Sequence, residues 1–227
     1  DNEITGDFEV IFEQDIINNQ EITITGNISI DLTKIDSPVA LRIGSITNNL
    51  IIDGDLVINA PTADVELNAD VKGDLNIISV ASNSLNSTGD IGGAVTLTSG
   101  KWKNRGSVSG PVTVDGPAKL ENSGAISSLI ITGEGAEFSN SSAATLDNVE
   151  IKANGVKVTN EGKVNQFTVD STVSTGEIAN NGEVGVYENN SPDIQMGGTG
   201  SISKEKDQSK PKVIDVATVS GITVSTN

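Results

Sequence analysis

The chain contains no cysteine and no histidine. Disulfides, thiol chemistry and Cys/His zinc sites are therefore excluded. Ser-His-Asp catalysis is excluded too. Aromatic residues make up only 3% of the 227 residues. A compact core normally draws on Phe, Tyr and Trp, which bury about 150–250 Å² each. A chain that folds with so few must fill a narrow interior with small and β-branched side chains. Hydrophobic residues stand at 35%, under the roughly 45–50% usual for globular domains. The density of Val, Ile and Leu still argues against disorder. Basic residues are scarce as well: 14 against 31 acidic, a net charge of −17. Nucleic acid is thus not an expected partner, because phosphate binding needs a basic face. An anionic membrane surface repels such a chain. No apolar run reaches the ~18 residues of a membrane span, so no membrane insertion is expected. There is no initial Met and no basic-then-apolar leader. The chain begins in mid-pattern and stops soon after a strand-like run, and reads as a piece of a longer, processed protein.

What is present is repetition. Asparagine recurs at Asn68, Asn86, Asn104, Asn122, Asn140, Asn160 and Asn180, in steps of 18, then 20. The residues that follow also recur. Arg105-Gly106-Ser107-Val108 matches Ser123-Gly124-Ala125-Ile126, Glu161-Gly162-Lys163-Val164 and Asn181-Gly182-Glu183-Val184. Arg42-Ile43-Gly44 fits the same frame with Arg in place of Asn, while the coil at Asn140 lacks the Gly and reaches Leu146 with extra residues. Apolar pairs at alternate positions form a second series: Leu56/Ile58, Leu75/Ile77, Val95/Leu97, Val112/Val114, Leu129/Ile131, Val149/Ile151 and Phe167/Val169. A third series, Trp102, Leu120, Phe138, Val158 and Ile178, precedes the asparagines by two.

Short alternating segments read as strands with one face buried. Three per 18–20 residues leave corners too short for a crossover helix. Stacked coils then form parallel sheets, with strands about 4.8 Å apart. The expected fold is all-β: a single-stranded, right-handed parallel β-helix, or β-solenoid, with an internal asparagine ladder. A left-handed hexapeptide helix is the alternative, but the 20-residue coils and the lack of a six-residue apolar repeat count against it. Asn tolerates a tight corner, and its amide can bond to the Asn one coil away. The Gly two residues later is expected to supply positive φ.

Residues 1–40 are less regular and read as N-terminal capping coils, since a terminal coil would otherwise expose an open edge. Residues 41–202 form the solenoid, the last coil from 186 irregular. Residues 203–212, charged and containing Pro211, read as a linker. Residues 213–227 alternate again, as a terminal strand or the start of a following module.

The candidate site is acidic. Asp55 and Asp74 each precede the first apolar residue of their strand, Asp70 and Asp90 precede Val71 and Ile91, and Asp53 lies nearby. The frame stacks these five on one corner. Carboxylates about 5 Å apart repel unless solvated or bridged, and Ca²⁺ takes several oxygen ligands. The corner therefore reads as a Ca²⁺ site or as a solvated acidic rim, and no cofactor is required. Lys101-Trp102-Lys103-Asn104-Arg105 is the one basic-aromatic patch. The position of Trp102 on an inward series places it in the core, with Lys101, Lys103 and Arg105 outside. The Asn-x-Ser/Thr matches at Asn27, Asn86, Asn140 and Asn189 are weak; Asn86 and Asn140 belong to the ladder and should be buried. Catalysis is not expected. The acidic corner and Arg105 fall on different edges, and the corners are short, whereas solenoid enzymes build clefts from long loops.

The Val-x-Val-x-Gly strands, the Asn-x-Gly-x-Val corners and the Lys-Pro-Lys run into Val-Ser-Gly-Ile-Thr-Val-Ser resemble the solenoid segments of Gram-positive surface-layer and cell-wall-anchored proteins. The resemblance covers about residues 41–227, and the tail resembles the entry to a bacterial immunoglobulin-like domain. It implies export, attachment through modules outside this chain, and a role in envelope assembly or adhesion. The function expected is a non-catalytic structural or assembly module of a secreted, S-layer-like cell-surface protein, partnered by neighbouring modules or by copies of itself. The alternative is a carbohydrate-binding or adhesive module taking polysaccharide; a calcium-dependent polysaccharide lyase stands behind both.

Overall fold

The computed structural model describes residues 8–9, 22–34, 38–44, 50–81 and 85–207. These residues form strands joined by short corners, without a helix. Every strand pairing is parallel, and the strands stack into two long sheets running the length of a β-solenoid of about eight turns.

The register follows the apolar columns. Leu56/Ile58 lie on Leu75/Ile77, those on Val95/Leu97, and the column continues through Val112/Val114, Leu129/Ile131, Val149/Ile151 and Phe167/Val169 to Tyr187/Asn189. Like stacks on like because parallel pairing without offset keeps the inward face inward. Phe167 and Tyr187 meet edge-on with ring centroids 6.0 Å apart. Across the interior, Trp102, Leu120, Phe138, Val158 and Ile178 form the opposing column, all buried.

Three inward segments per coil are present, but two of them share a strand. In Ser107–Val114 the register shifts between Val108 and Pro111, so Val108 and Val112 both face inward across a bulge. Ala125–Ile131 and Thr145–Ile151 repeat the bend, with two outward residues between buried Ile126 and Leu129 or Leu146 and Val149. The coil at Asn140 holds its extra residues between Asn140 and Thr145: Asn122 pairs with Asn140, 18 apart, while Ala125 pairs with Thr145.

Asn104, Asn122, Asn140, Asn160 and Asn180 end successive strands of the first sheet and are buried. Each Nδ2 donates to the next Oδ1: 104 to 122 at 3.0 Å, 122 to 140 at 3.0 Å, 140 to 160 at 2.8 Å and 160 to 180 at 2.8 Å. The ladder does not extend to Asn86, Asn68 or Arg42. Asn86 pairs with Lys103 on the outer face, and Ser87 takes the inward place below Asn104. Further down, that place belongs to Leu67 and Ile43, which displace Asn68 and Arg42 by one residue. Trp102 explains the serine: its Nε1 donates to Ser87 Oγ at 2.8 Å, and Ser87 Oγ donates to Asn104 Oδ1 at 3.3 Å. Asn140 is buried as expected and Asn86 is only partly so.

The glycines after the asparagines have another cause than the one expected. Gly106, Gly124, Gly162 and Gly182 are absent from the positive-φ set. A methyl on Gly124 would instead strike the Gly106 carbonyl oxygen of the coil beneath. The corner thus needs Gly for close approach of stacked backbones, not for a left-handed turn.

At the far end, Ser201–Asp207 pairs along Glu183–Asn189 as the last strand described. The first residues assigned to a linker, 203–207, therefore belong to the solenoid. Described strands within 1–40 also join the stack, Ile28–Asp31 on Leu56–Ala60 and Ile22–Thr25 on Leu50–Asp53. Residues 208–227, which hold the rest of the linker and the terminal alternating run, lie outside the described residues.

Candidate functional site

The five aspartates do not share one corner. Asp55 and Asp74 stack on adjacent coils, and so do Asp70 and Asp90, but these are separate columns. Each carboxylate meets a backbone donor from the next coil. Asp74 N–H donates to Asp55 Oδ1 at 2.8 Å, and Ala94 N–H donates to Asp74 Oδ1 at 2.7 Å. Asp90 N–H donates to Asp70 Oδ1 at 2.8 Å, and Ser107 N–H to Asp90 Oδ1 at 2.9 Å. Asn27 begins the first column by accepting from Asp55 N–H at 2.9 Å. Asp53 follows Ile52 as Lys72 follows Val71, and Ile52 pairs with Val71, so a cation holds the equivalent place in the next coil. Among the described residues no group of three acidic side chains stands close enough to hold a metal ion.

The columns act as corner brackets. A tight corner leaves N–H groups that the sheets cannot satisfy, and an Asx side chain one coil away accepts from them. The hydroxyl and N–H of Ser107 hold the Asp90 carboxyl below its ordinary value, against the opposing effect of burial and with help from Lys72.

The outer face of the first sheet offers a different surface. Three residues before each ladder asparagine stand Lys101, Lys119, Glu137, Lys157 and Glu177, in register across five coils. One residue before stand Lys103, Glu121, Ser139, Thr159 and Ala179. Lys101 Nζ lies 2.8 Å from Glu121, and Lys119 Nζ lies 3.5 Å from Glu121 and 3.2 Å from Glu137. Burial pushes the Glu121 carboxyl up. The hydrogen bond from Lys101 and the charges of Lys101, Lys119 and Lys103 outweigh it and hold Glu121 below the carboxylate range. The hydrogen bond to Glu137 raises Lys119.

Shallow depressions adjoin one another on this face. One is lined by Lys119, Glu137, Ser139, Lys157 and Thr159 among others. It shares Glu137 and Lys157 with a second beside Gly135, Gly155 and Gly176, and Ser139 and Thr159 with a third beside Ser123, Ser141 and Glu161. Together they form an open trough that follows the strand direction across adjacent coils, lined by hydroxyl groups and by charges of both signs. Its signal was in the sequence, at fixed offsets from the asparagines, but emerges only when outward positions are aligned as carefully as inward ones. Trp102 is fully buried and contributes nothing to it. Lys101 and Lys103 point outward as expected, and Arg105 is exposed at the corner.

The fold and this face define a β-solenoid with a polar, mixed-charge side. No protein-family model, curated protein or solved structure matches the chain.

Proposed function

We propose that the chain is a non-catalytic structural or assembly module of a secreted bacterial cell-surface protein, of the surface-layer kind. The observation that carries this reading is where the chemically capable side chains are engaged. Asn104 to Asn180 bond one another in the interior, and Asp55, Asp70, Asp74 and Asp90 bracket the corners. These groups hold coil to coil and leave an extended rod. Stacked repeats of this kind resist deformation because each coil is tied to both neighbours. The acidity suits a module that stays soluble among many copies.

The trough supports a second reading, a carbohydrate-binding or adhesive module, because hydroxyl and charged groups line an open surface that an extended polymer could follow. Its aromatic lining residue, Phe138, is buried and offers no platform for sugar rings to stack on. Retention on a glycan array and on insoluble polysaccharides separates the two. A structural module passes through without retention. Specific retention, lost on Thr159→Arg, overturns the structural reading in favour of the adhesive one.

A further inference from the structure

From the outer face of the first sheet we infer that the chain pairs laterally, in antiparallel orientation, with a second copy of itself. The inference rests on the assembly reading above and names its partner. Lys119, Glu137, Lys157 and Glu177 occupy one column on four successive coils, with signs +, −, +, −. Rotating a copy by a two-fold axis parallel to the strands, between the coils of Glu137 and Lys157, reverses the coil order and keeps each residue's place along the strand. Lys119 then faces the partner's Glu177, and Glu137 faces the partner's Lys157. All four contacts join opposite charges, and the operation is its own inverse, as a closed two-fold contact requires.

Two further observations favour this face. Lys119 and Glu137 already pair within the chain, at 3.2 Å. Among the described residues Lys157 and Glu177 have no ion-pair partner, and both are exposed. The half of the column left without partners is the half that the second copy's Lys119 and Glu137 would meet. Beside it, Ser139, Thr159 and Ala179 are short, so two faces can approach.

Four coils span only about three strand spacings of ~4.8 Å. The contact is therefore well under the roughly 800 Å² per partner of a standard interface and is weak between free chains. Tethering many copies on one surface raises its occupancy without new contacts. The net charge of −17 sets a second condition. At very low salt the two chains repel as wholes. Near 0.15 M, where the screening length is about 8 Å, long-range repulsion fades while close pairs survive. Near 1 M the pairs are screened too.

Sedimentation equilibrium of the intact chain, from micromolar to millimolar and over these salt conditions, tests the inference. A reversible dimer is expected, tightest at intermediate salt. Lys157→Glu sets like charges across the axis and is expected to weaken dimerisation at least ~10-fold, a change of about 1.4 kcal/mol. Adding Glu137→Lys to Lys157→Glu makes the column +, +, −, −, which is again self-complementary, and is expected to restore the dimer. Thermal melting confirms that both variants fold. A monomer throughout, a dimer indifferent to Lys157→Glu, or a double variant that fails to recover each overturns the contact. Such a failure is distinct from failure of the structural reading, which turns on glycan retention.

Discussion

Replacing Asn140 by alanine is the sharpest test of what holds the coils in register. Asn140 sits mid-ladder, buried, accepting from Asn122 Nδ2 at 3.0 Å and donating to Asn160 Oδ1 at 2.8 Å. Its removal leaves Asn160 Oδ1 without that donor and Asn122 Nδ2 with only the Gly124 carbonyl, at 3.2 Å. A buried polar group left unsatisfied costs about 1–3 kcal/mol. Two impaired groups and the vacated side-chain volume together give roughly 2–5 kcal/mol. In a chain of this size that lowers the melting midpoint by about 2–4 °C per kcal/mol, or roughly 4–20 °C. Urea unfolding followed by far-ultraviolet circular dichroism measures it, and hydrogen exchange locates it: protection should fall first around residues 122, 140 and 160. The control is Asn86→Ala. Repeat spacing alone makes Asn86 equivalent to Asn140, but Asn86 stands on the outer face beside Lys103. Its loss should stay within about 0.5 kcal/mol. Equal effects at the two positions, or an Asn140→Ala variant as stable as the parent, would refute the ladder as the source of register.

Three further outcomes follow from the corners. Gly124→Ala is expected to cost about 1–3 kcal/mol in urea unfolding, because the added methyl strikes the Gly106 carbonyl although Gly124 is not in the positive-φ set; a neutral result would remove close approach as the reason for Gly. The Asp90 carboxyl titrates below its ordinary value, so its bonds to Ser107 support the fold fully above about pH 3.9 and are lost as pH falls through the lower folded value. Asp90→Asn should flatten the acid limb of the stability profile below about pH 4, and an unchanged limb counts against the bracket. Calcium compared with a chelator is expected to leave the melting midpoint unmoved, since the Asp columns already accept backbone donors; a clear rise with calcium would make those aspartates ligands instead.

The apolar columns were legible because a solenoid repeats one decision many times. Leu129 over Val112, Val149 over Leu129 and Phe167 over Val149 are the same inward position read again. The lower ladder was not legible, for a reason of geometry. A slip of one residue in a strand moves its side chain to the opposite face. Asn86 lies 18 residues before Asn104, so spacing favours it, but Ser87, 17 residues before, takes the inward place. Spacing alone thus points to the wrong residue. The indole of Trp102 distinguishes the two, since only a side chain turned inward at 87 can accept from Nε1. Composition likewise hid the last strand: Lys204, Glu205 and Lys206 read as linker, yet in the last strand of the described stack even Glu205, in register with inward Tyr187, is exposed, and charge there also discourages unwanted pairing.

Stacked coils set the backbone of every outward charged residue about 5 Å from that of its counterpart on the next coil, and the chain meets the resulting crowding of charge in two ways. At the corners the charge keeps one sign, Asp55 under Asp74 and Asp70 under Asp90, and a backbone N–H is inserted between successive carboxylates. On the first sheet the sign alternates from Lys119 through Glu137 and Lys157 to Glu177, while the like-charged neighbours Lys101 and Lys119 share Glu121, and no backbone donor is needed. The two solutions differ in what they leave for a partner. A bracketing carboxylate commits its Oδ1 to a backbone N–H of the next coil, and displacing it would strip that donor of its acceptor. An alternating column makes no demand on the backbone, so its members can turn toward a second surface at the cost only of exposed ion pairs, each worth about 0–1 kcal/mol. The acidic corners, more conspicuous in the sequence, thus tie coil to coil, and the less conspicuous alternating face is the one we propose for contact with a second copy.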